Sequence, residues 1–217
     1  MLYIVATPIG NLKDITLRAI ETLNNADLIA CEDTRHSRIL LKAHNISTPT
    51  TSYYQHNRFT KAGYLLEKLK GGMDVALISD AGMPGILDPG YYLINLAIQN
   101  NIPITVIPGS SAFICALGLS GKPIHKFIFE GFLPKKSTAR HKRLEGLKKI
   151  GYTTVLYESC HRIIATLKDI EDVFGDIPIV VARELTKQFE EILRDRVGTI
   201  REHLLRGKAR GEFVVVI

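Results

Sequence analysis

Residues 74–90 read DVALISDAGMPGILDPG. The stretch opens on a short apolar run with β-branched character, as a buried strand does. It continues as SDAGMPGILDPG (79–90), with three glycines and two prolines in twelve positions. Proline removes a backbone donor and glycine raises the entropy lost on ordering, so most of this segment cannot be regular structure. Beyond it, PGYYLINLAIQNN (89–101) returns to an amphipathic helical pattern. A strand, a bent loop carrying Asp80 and Asp88, and then a helix form one unit of an α/β sheet.

The same unit recurs on both sides. Strand-like runs stand at LYIVA (2–6), DLIAC (27–31) and ITVI (104–107). Helical patterns separate them at 16–26, around 38–44, at 60–70 and at 110–119. Strands spaced by helices of this length predict right-handed crossovers and a mostly parallel sheet. Near-continuous apolar runs fit strands covered on both faces. SGKP (120–123) breaks the pattern, which places a boundary between a domain at 1–119 and another at 120–217. The second half has KFIFEGF (126–132), a basic helix near 137–149, TTVLYES (153–159), a helix at 161–174 and IPIVVAR (177–183). It closes with QFEEILRDRVG (188–198) and GEFVVVI (211–217). Fewer helices between its strands predict a mixed sheet. The fold class is therefore α/β with two α/β domains.

The chain has 217 residues, 46% of them apolar and 23% charged, the balance of an ordinary globule with a sizeable core. No apolar run approaches the length of a membrane span, and MLYIVATPIG moves straight into a strand without a basic leader. A cytoplasmic protein without membrane attachment is expected. Cys31, Cys115 and Cys160 are odd in number, scattered and set in apolar runs, so they read as structural thiols. No HExxH or CxxC pattern points to a metal. The net charge of +6 is clustered in KKSTARHKR (135–143), at Lys148 and Lys149, and in RGKAR (206–210). Such clusters attract nucleic acid, and equally an acidic small molecule.

Ligands of α/β sheets gather at the loops that follow the strands. Four loops here are unusual for plain turns. In ATPIGNLKDIT (6–16), Gly10 permits a tight bend, but GxGxxG is absent. ACEDTRHSR (30–38) crowds Glu32, Asp33, Arg35 and His36 at the exit of a buried strand. Asp33 or Thr34 could cap the next helix there, yet a cap needs only one of these side chains. SDAGMPGILDPG is the third, and IPGSSA (107–112) is the fourth, offering Gly109, Ser110 and Ser111.

TPIGNLKDITLRA, CEDTRH, SDAGMPGILDPG, PGSSA, EGFLP, YES, ARELTK and the final GEF stand in the order seen in one family. Over essentially its whole length the chain resembles the tetrapyrrole-methylase-like, S-adenosylmethionine-dependent methyltransferases. Within them it is similar to the branch that methylates the ribose 2′-oxygen of a cytidine in bacterial 16S ribosomal RNA. The resemblance implies a donor cleft between two α/β domains, S-adenosylmethionine as cofactor, no metal, the 30S subunit as partner, and a homodimer. It implies donor contacts from Asp80 and the backbone near Met83, from Ser111 and Ala112, and from Pro8 and Gly10 on the floor. From the second domain it implies Tyr157, Ala182, Arg183 and the backbone of Glu212.

Transfer to a ribose hydroxyl needs a base for the departing proton. Glu32 occupies the position where tetrapyrrole methylases carry the aspartate of a Tyr-Asp-Arg-Leu run, and this chain departs from that run with CEDTR. Asp33 is the next candidate, then His56 in YYQHN (53–57). Arg35, His36 and Asn57 are expected to meet the substrate, with Lys135, Lys136 and Arg140 of the basic segment. Arg183, Glu184 and Lys187 of ARELTK either complete the site, with Lys187 on the substrate, or form an ion network. Met83 stands where the family has a threonine. Many relatives continue past the equivalent of GEFVVVI into a helical appendage; without one, the RNA would rest on the basic helix and a dimer partner. The competing readings are a methylase acting on a tetrapyrrole or corrin carbon and a non-catalytic ribosome- or RNA-binding protein of the same fold.

Overall fold

The structure, a computed structural model, describes residues 1–207 and 209–217; Lys208 of the RGKAR cluster lies outside the described residues. The chain forms two compact units, Met1–Ser111 and Ala112–Ile217.

The first unit alternates strand and helix: β1 (Leu2–Val5), α1 (Leu17–Asn25), β2 (Leu28–Cys31), α2 (Thr34–Ala43), β3 (Thr50–Ser52), α3 (Arg58–Lys70), β4 (Val75–Ile78), α4 (Tyr91–Gln99) and β5 (Ile104–Ile107). All strand pairings are parallel, in the order β3-β2-β4-β1-β5. Successive residues serve opposite faces. Leu28, Ala30, Val75 and Leu77 pack with Ala62, Leu65, Leu93 and Ala97 of α3 and α4. Ile29, Cys31, Ala76 and Ile78 pack with Ala19 and Leu23 of α1 and Leu41 of α2. The division follows from handedness. Moving from β1 to β2 to β3 runs one way along the sheet, and β3 to β4 to β5 runs the other, so right-handed crossovers fall on opposite faces. Helix starts are set locally: the Thr16 hydroxyl accepts the Ala19 N–H at 3.1 Å, and the Asp33 carboxylate accepts that of Arg35 at 2.8 Å.

The second unit contains α5 (Ala112–Leu119), β6 (Phe127–Phe132), α6 (Ser137–Ile150), β7 (Thr153–Ser159), α7 (Ile163–Phe174), β8 (Pro178–Arg183), β9 (Glu191–Arg196), α8 (Val197–Arg206) and β10 (Glu212–Val216). Its sheet order is β6-β7-β10-β8-β9. β6 lies parallel to β7, and the other pairings are antiparallel, giving the expected mixed sheet. Leu156, Val181, Phe213 and Val215 pack on one face against α6, α7 and α8. α5 packs on β7 and β10, with the Phe113 ring stacked 4.2 Å from Phe129. That packing is why the division falls at Ser111–Ala112 and not after residue 119: α5 shares contacts with the sheet that follows it.

Candidate functional site

In the parallel sheet every strand ends at the same edge, so the loops after β1 to β5 share it. β2 and β4 are neighbours there, yet the chain leaves β2 toward β3 and leaves β4 in the opposite direction toward β5. Diverging loops mark a topological switch point, the usual ligand position in such sheets. Glu32 and Asp33 follow β2; Asp80 and the loop to Asp88 follow β4. The Asp33 N–H donates to Asp80 Oδ1 at 3.2 Å, tying the two rims together.

The neighbouring loops are fixed by backbone contact. Thr7 and Gly82 exchange N–H to carbonyl bonds of 2.9 and 3.1 Å, and the Thr7 hydroxyl donates to the Ser79 carbonyl at 3.2 Å. Gly82 and Gly85 have φ of +83° and +87°, conformations that side chains disfavour. A Cβ at Gly90 would meet the Gly85 nitrogen at 2.8 Å, so the loop closes on itself at a neck that admits no side chain. A Cβ at Gly109 would likewise meet the Ala6 Cβ at 2.9 Å. Pro8 is buried beneath this stitching and Gly10 is exposed beyond it. Met83 turns its side chain toward the core shared with Leu93, leaving its backbone for the loop surface. Ser111 is half-buried at the end of the unit.

Three carboxylates share this edge. Burial, and then the nearby Asp80 charge, raise the Glu32 carboxyl above its usual range. Burial first and the Glu32 charge second push Asp88 up to about 6, while Ser79 hydrogen bonding works against the rise. Among the described residues, no cation lies within ion-pair distance of Glu32, Asp80 or Asp88. Asp33 is different. Its carboxylate caps α2 and takes a two-pronged bond from Arg35, with Nε at 3.2 Å and the terminal nitrogen at 2.9 Å, which holds it down at about 2. Geometry thus separates two adjacent acids that sequence left as alternatives. Asp88 belongs with Glu32, although its sequence signal was only an aspartate in a bent loop.

The loop after β3 leaves from the same edge. Its Asn57 is a brace: Oδ1 accepts the Tyr54 N–H at 2.8 Å and Nδ2 donates to the Ser52 carbonyl at 3.2 Å. His56 is exposed, with its ring 6.2 Å from that of Tyr54. His36 is exposed on α2 beside Arg35.

In the second unit, Tyr157 Oη accepts the Phe113 N–H at 3.2 Å, and its ring meets Phe129 edge-on at 5.1 Å. Neighbouring Glu158 is buried and satisfied by Thr166, the Ser159 N–H and Arg162. Ala182 is buried in β8 opposite Val214. Arg183 donates to the Arg210 carbonyl at 2.7 Å and pairs with Glu191. Lys187 bridges Glu184 at 2.9 Å and Glu212 at 2.8 Å. Of the two readings of ARELTK, Glu184 and Lys187 adopt the ion network. Gly211 at φ +89° lets Glu184 lie against it, where a Cβ would meet the Glu184 Cγ at 2.5 Å.

One expected substrate contact is corrected. Arg140 is 4% exposed, donates to Asp169 Oδ2 at 2.6 Å and reaches the Pro134 and Lys135 carbonyls at 3.3 Å. It sits on the inner stripe of α6 with Leu144 and Leu147 and holds α6 to α7, its guanidinium already committed within the unit. Lys135 and Lys136 remain exposed before that helix. Among the described residues, His141, Asp169 and Asp172 bring ligand atoms within 4.8 Å of one another, a grouping invisible in sequence spacing. Arg140 already neutralises Asp169 there. Of the thiols read as structural, Cys31 is buried, Cys160 half-buried and Cys115 exposed on α5.

A parallel sheet with acids at its topological switch point, joined in one chain to a mixed α/β unit, defines an α/β ligand-binding protein. The chain belongs to the tetrapyrrole (corrin/porphyrin) methylases, whose family pattern matches residues 1–201. It is 48% identical over 220 residues to the ribosomal RNA small subunit methyltransferase I of Haemophilus influenzae, covering 100% of this chain and 78% of that protein. The protein of the same name from Thermotoga maritima is 44% identical, covering 100% of this chain and 97% of that one. The uroporphyrin-III C-methyl transferase of Thermus thermophilus, solved in complex with S-adenyl homocysteine, shares the fold with a TM-score of 0.66 at 17% identity, covering 99% of this chain and 96% of that one.

Proposed function

We propose that this protein transfers a methyl group from S-adenosylmethionine to the ribose 2′-hydroxyl of a cytidine in 16S ribosomal RNA of the small subunit. The observation that carries the reading is the topological switch point, where among the described residues Glu32, Asp80 and Asp88 stand without a cation. The likeness to proteins named for small-subunit ribosomal RNA methylation supports the substrate. The residues present fit such a donor on two counts. Unpaired carboxylates suit a ligand with a positive sulfur and an amino group. Glycine-bent loops expose backbone edges that can read its polar rim. When bound, the donor supplies an activated methyl group on a good leaving group.

Asp80, the Met83 backbone, Ser111, Pro8 and Gly10 are proposed to hold the donor. Glu32 takes the proton of the ribose hydroxyl. A half-buried carboxylate raised above its usual range, by burial first and the Asp80 charge second, is a stronger base than an exposed one. Asp33 holds Arg35 and the start of α2, and His56 stands at the rim. Arg35, His36 and Asn57 are proposed to meet the substrate, as are the exposed Lys135 and Lys136. Cytoplasmic location and a homodimer belong to the same proposal. No helix among the described residues is long and apolar enough to cross a membrane.

The test is transfer of labelled methyl from S-adenosylmethionine to purified 30S subunits, with digestion of the RNA to nucleosides. Label in 2′-O-methylcytidine is the expected result. Label in a corrin or porphyrin substrate and none in RNA would overturn it. Donor binding with transfer to neither would support a non-catalytic role.

A further inference from the structure

The exposed side of α3 carries an arrangement that the donor site does not use. Phe59 is 60% exposed and Tyr64 is 45% exposed. Each ring has cations over it: the Arg58 guanidinium stands 4.7 Å from the centre of Phe59, and Lys61 and Lys68 stand 4.9 and 5.5 Å from that of Tyr64. Among the described residues, none of these three cations has an ion-pair partner. α4 packs alongside and adds Tyr92, edge-on to Phe59 at 4.9 Å, and Tyr91, which is 76% exposed. The α4 sequence YYLINLAIQ contributes no charge to offset them. α3 begins just after the β3 loop, and β3 is the immediate neighbour of β2, whose exit carries Glu32. This surface therefore starts at the rim of the candidate site.

We propose that this face of α3, continued by Tyr91 and Tyr92 of α4, binds single-stranded RNA and guides it to the edge of the parallel sheet. The inference rests on the ribosomal RNA reading and names a surface that the basic C-terminal segment does not include. Exposed rings stack on unpaired bases once the mobile cations over them turn aside, and those cations neutralise the connecting phosphates. A second copy of this chain fits the face less well. A two-fold interface sets a patch against itself, so Arg58, Lys61 and Lys68 would face the same cations, and the one carboxylate of α3, Glu67, is already paired with Lys70.

The experiment measures binding of a fluorescein-labelled single-stranded RNA dodecamer by anisotropy, across a salt series. Tyr64→Leu lowers affinity roughly tenfold, as expected from losing one stacked base, while Tyr64→Phe retains it. Arg58→Glu combined with Lys68→Glu lowers affinity at least as much and flattens the slope of log K against log salt by about 1.4, two phosphate contacts' worth. Calorimetric binding of S-adenosylmethionine stays at the wild-type value in all three, which also shows that they fold. Affinities within twofold of wild type in both Tyr64→Leu and the double variant overturn the inference, whether or not the wild-type protein methylates 30S subunits. A variant that sediments as a smaller species with unchanged RNA affinity assigns the face to a second copy and overturns it equally. Absence of methyl transfer by wild type, with RNA affinity lost in the variants, removes the activity and keeps the surface.

Discussion

Apart from Asp33, which Arg35 holds low, the shifted carboxyls of the first unit behave oppositely to those of the second. In the second, burial pulls the Asp169 carboxyl upward, but bonds from His141, Arg140 and Ser137 more than offset it and leave it below its usual range. Glu184 is likewise held low by Lys187 and the Glu212 N–H against the pull of burial. In the first, Glu32 and Asp88 are raised, by burial first and by neighbouring carboxylates second. Carboxylates satisfied by their own chain are architecture. Carboxylates crowded together without a cation destabilise the protein alone, and a positive ligand relieves them.

The largest expected effect separates Glu32 from its neighbour. Glu32→Gln should lower methyl transfer to 30S subunits by about 10²–10⁴-fold, the contribution of a positioned base, with donor affinity retained. Asp33→Asn, which loses an acid already committed to Arg35, should leave the rate within a few fold. Equal losses in both would erase the distinction. Next comes Arg140→Ala in the second unit. It strands buried Asp169 and should cost about 3–5 kcal/mol in denaturant unfolding, where a surface phosphate contact would cost almost nothing.

Gly90→Ala drives a methyl group into the Gly85 backbone and should weaken donor binding by about 1–3 kcal/mol in calorimetry. The smallest effect concerns pH. Asp88 has a folded value near 6 against an unfolded value near 3.8, so between them the folded state binds the extra proton. The Asp88 contribution to stability is therefore full below about pH 4 and is lost as pH rises through 6. Asp88→Asn should abolish that decline and leave the protein about 1 kcal/mol more stable at pH 7, after discounting for solvent screening at a half-exposed group. A variant less stable than wild type at pH 7 would show that Asp88 is already compensated.

Much of this contrast was legible in the sequence, and the failures have physical causes. The short apolar strands of the first sheet and the bent loops between them are local patterns, and they fall where the residues placed them. β3 is three polar residues, TTS, at a sheet edge, too short for any period to register. α8 starts at Val197 behind Arg196, which gives no side-chain cap, and contains Gly198, so VGTIREHLLR carries no helix start signal. The boundary was set by a Gly-Pro break, whereas long-range packing of α5 set it in space. For the site, Glu32 and Asp80 were visible because they follow strands. Asp88 was not, because its tie to Glu32 depends on how a glycine-rich loop folds back. Arg140 misled because a helix in a basic run still has an inward face.

The account depends most on the claim that the carboxylates after β2 and β4 stand unpaired in order to receive a positively charged methyl donor. A crystal structure with S-adenosylmethionine or a sulfonium analogue bound tests it directly. The account predicts ligand density against Asp80 and the Gly82–Gly85 backbone. Density confined to the ion networks of Asp169 or Glu184, with the Asp80 loop bare, would contradict it.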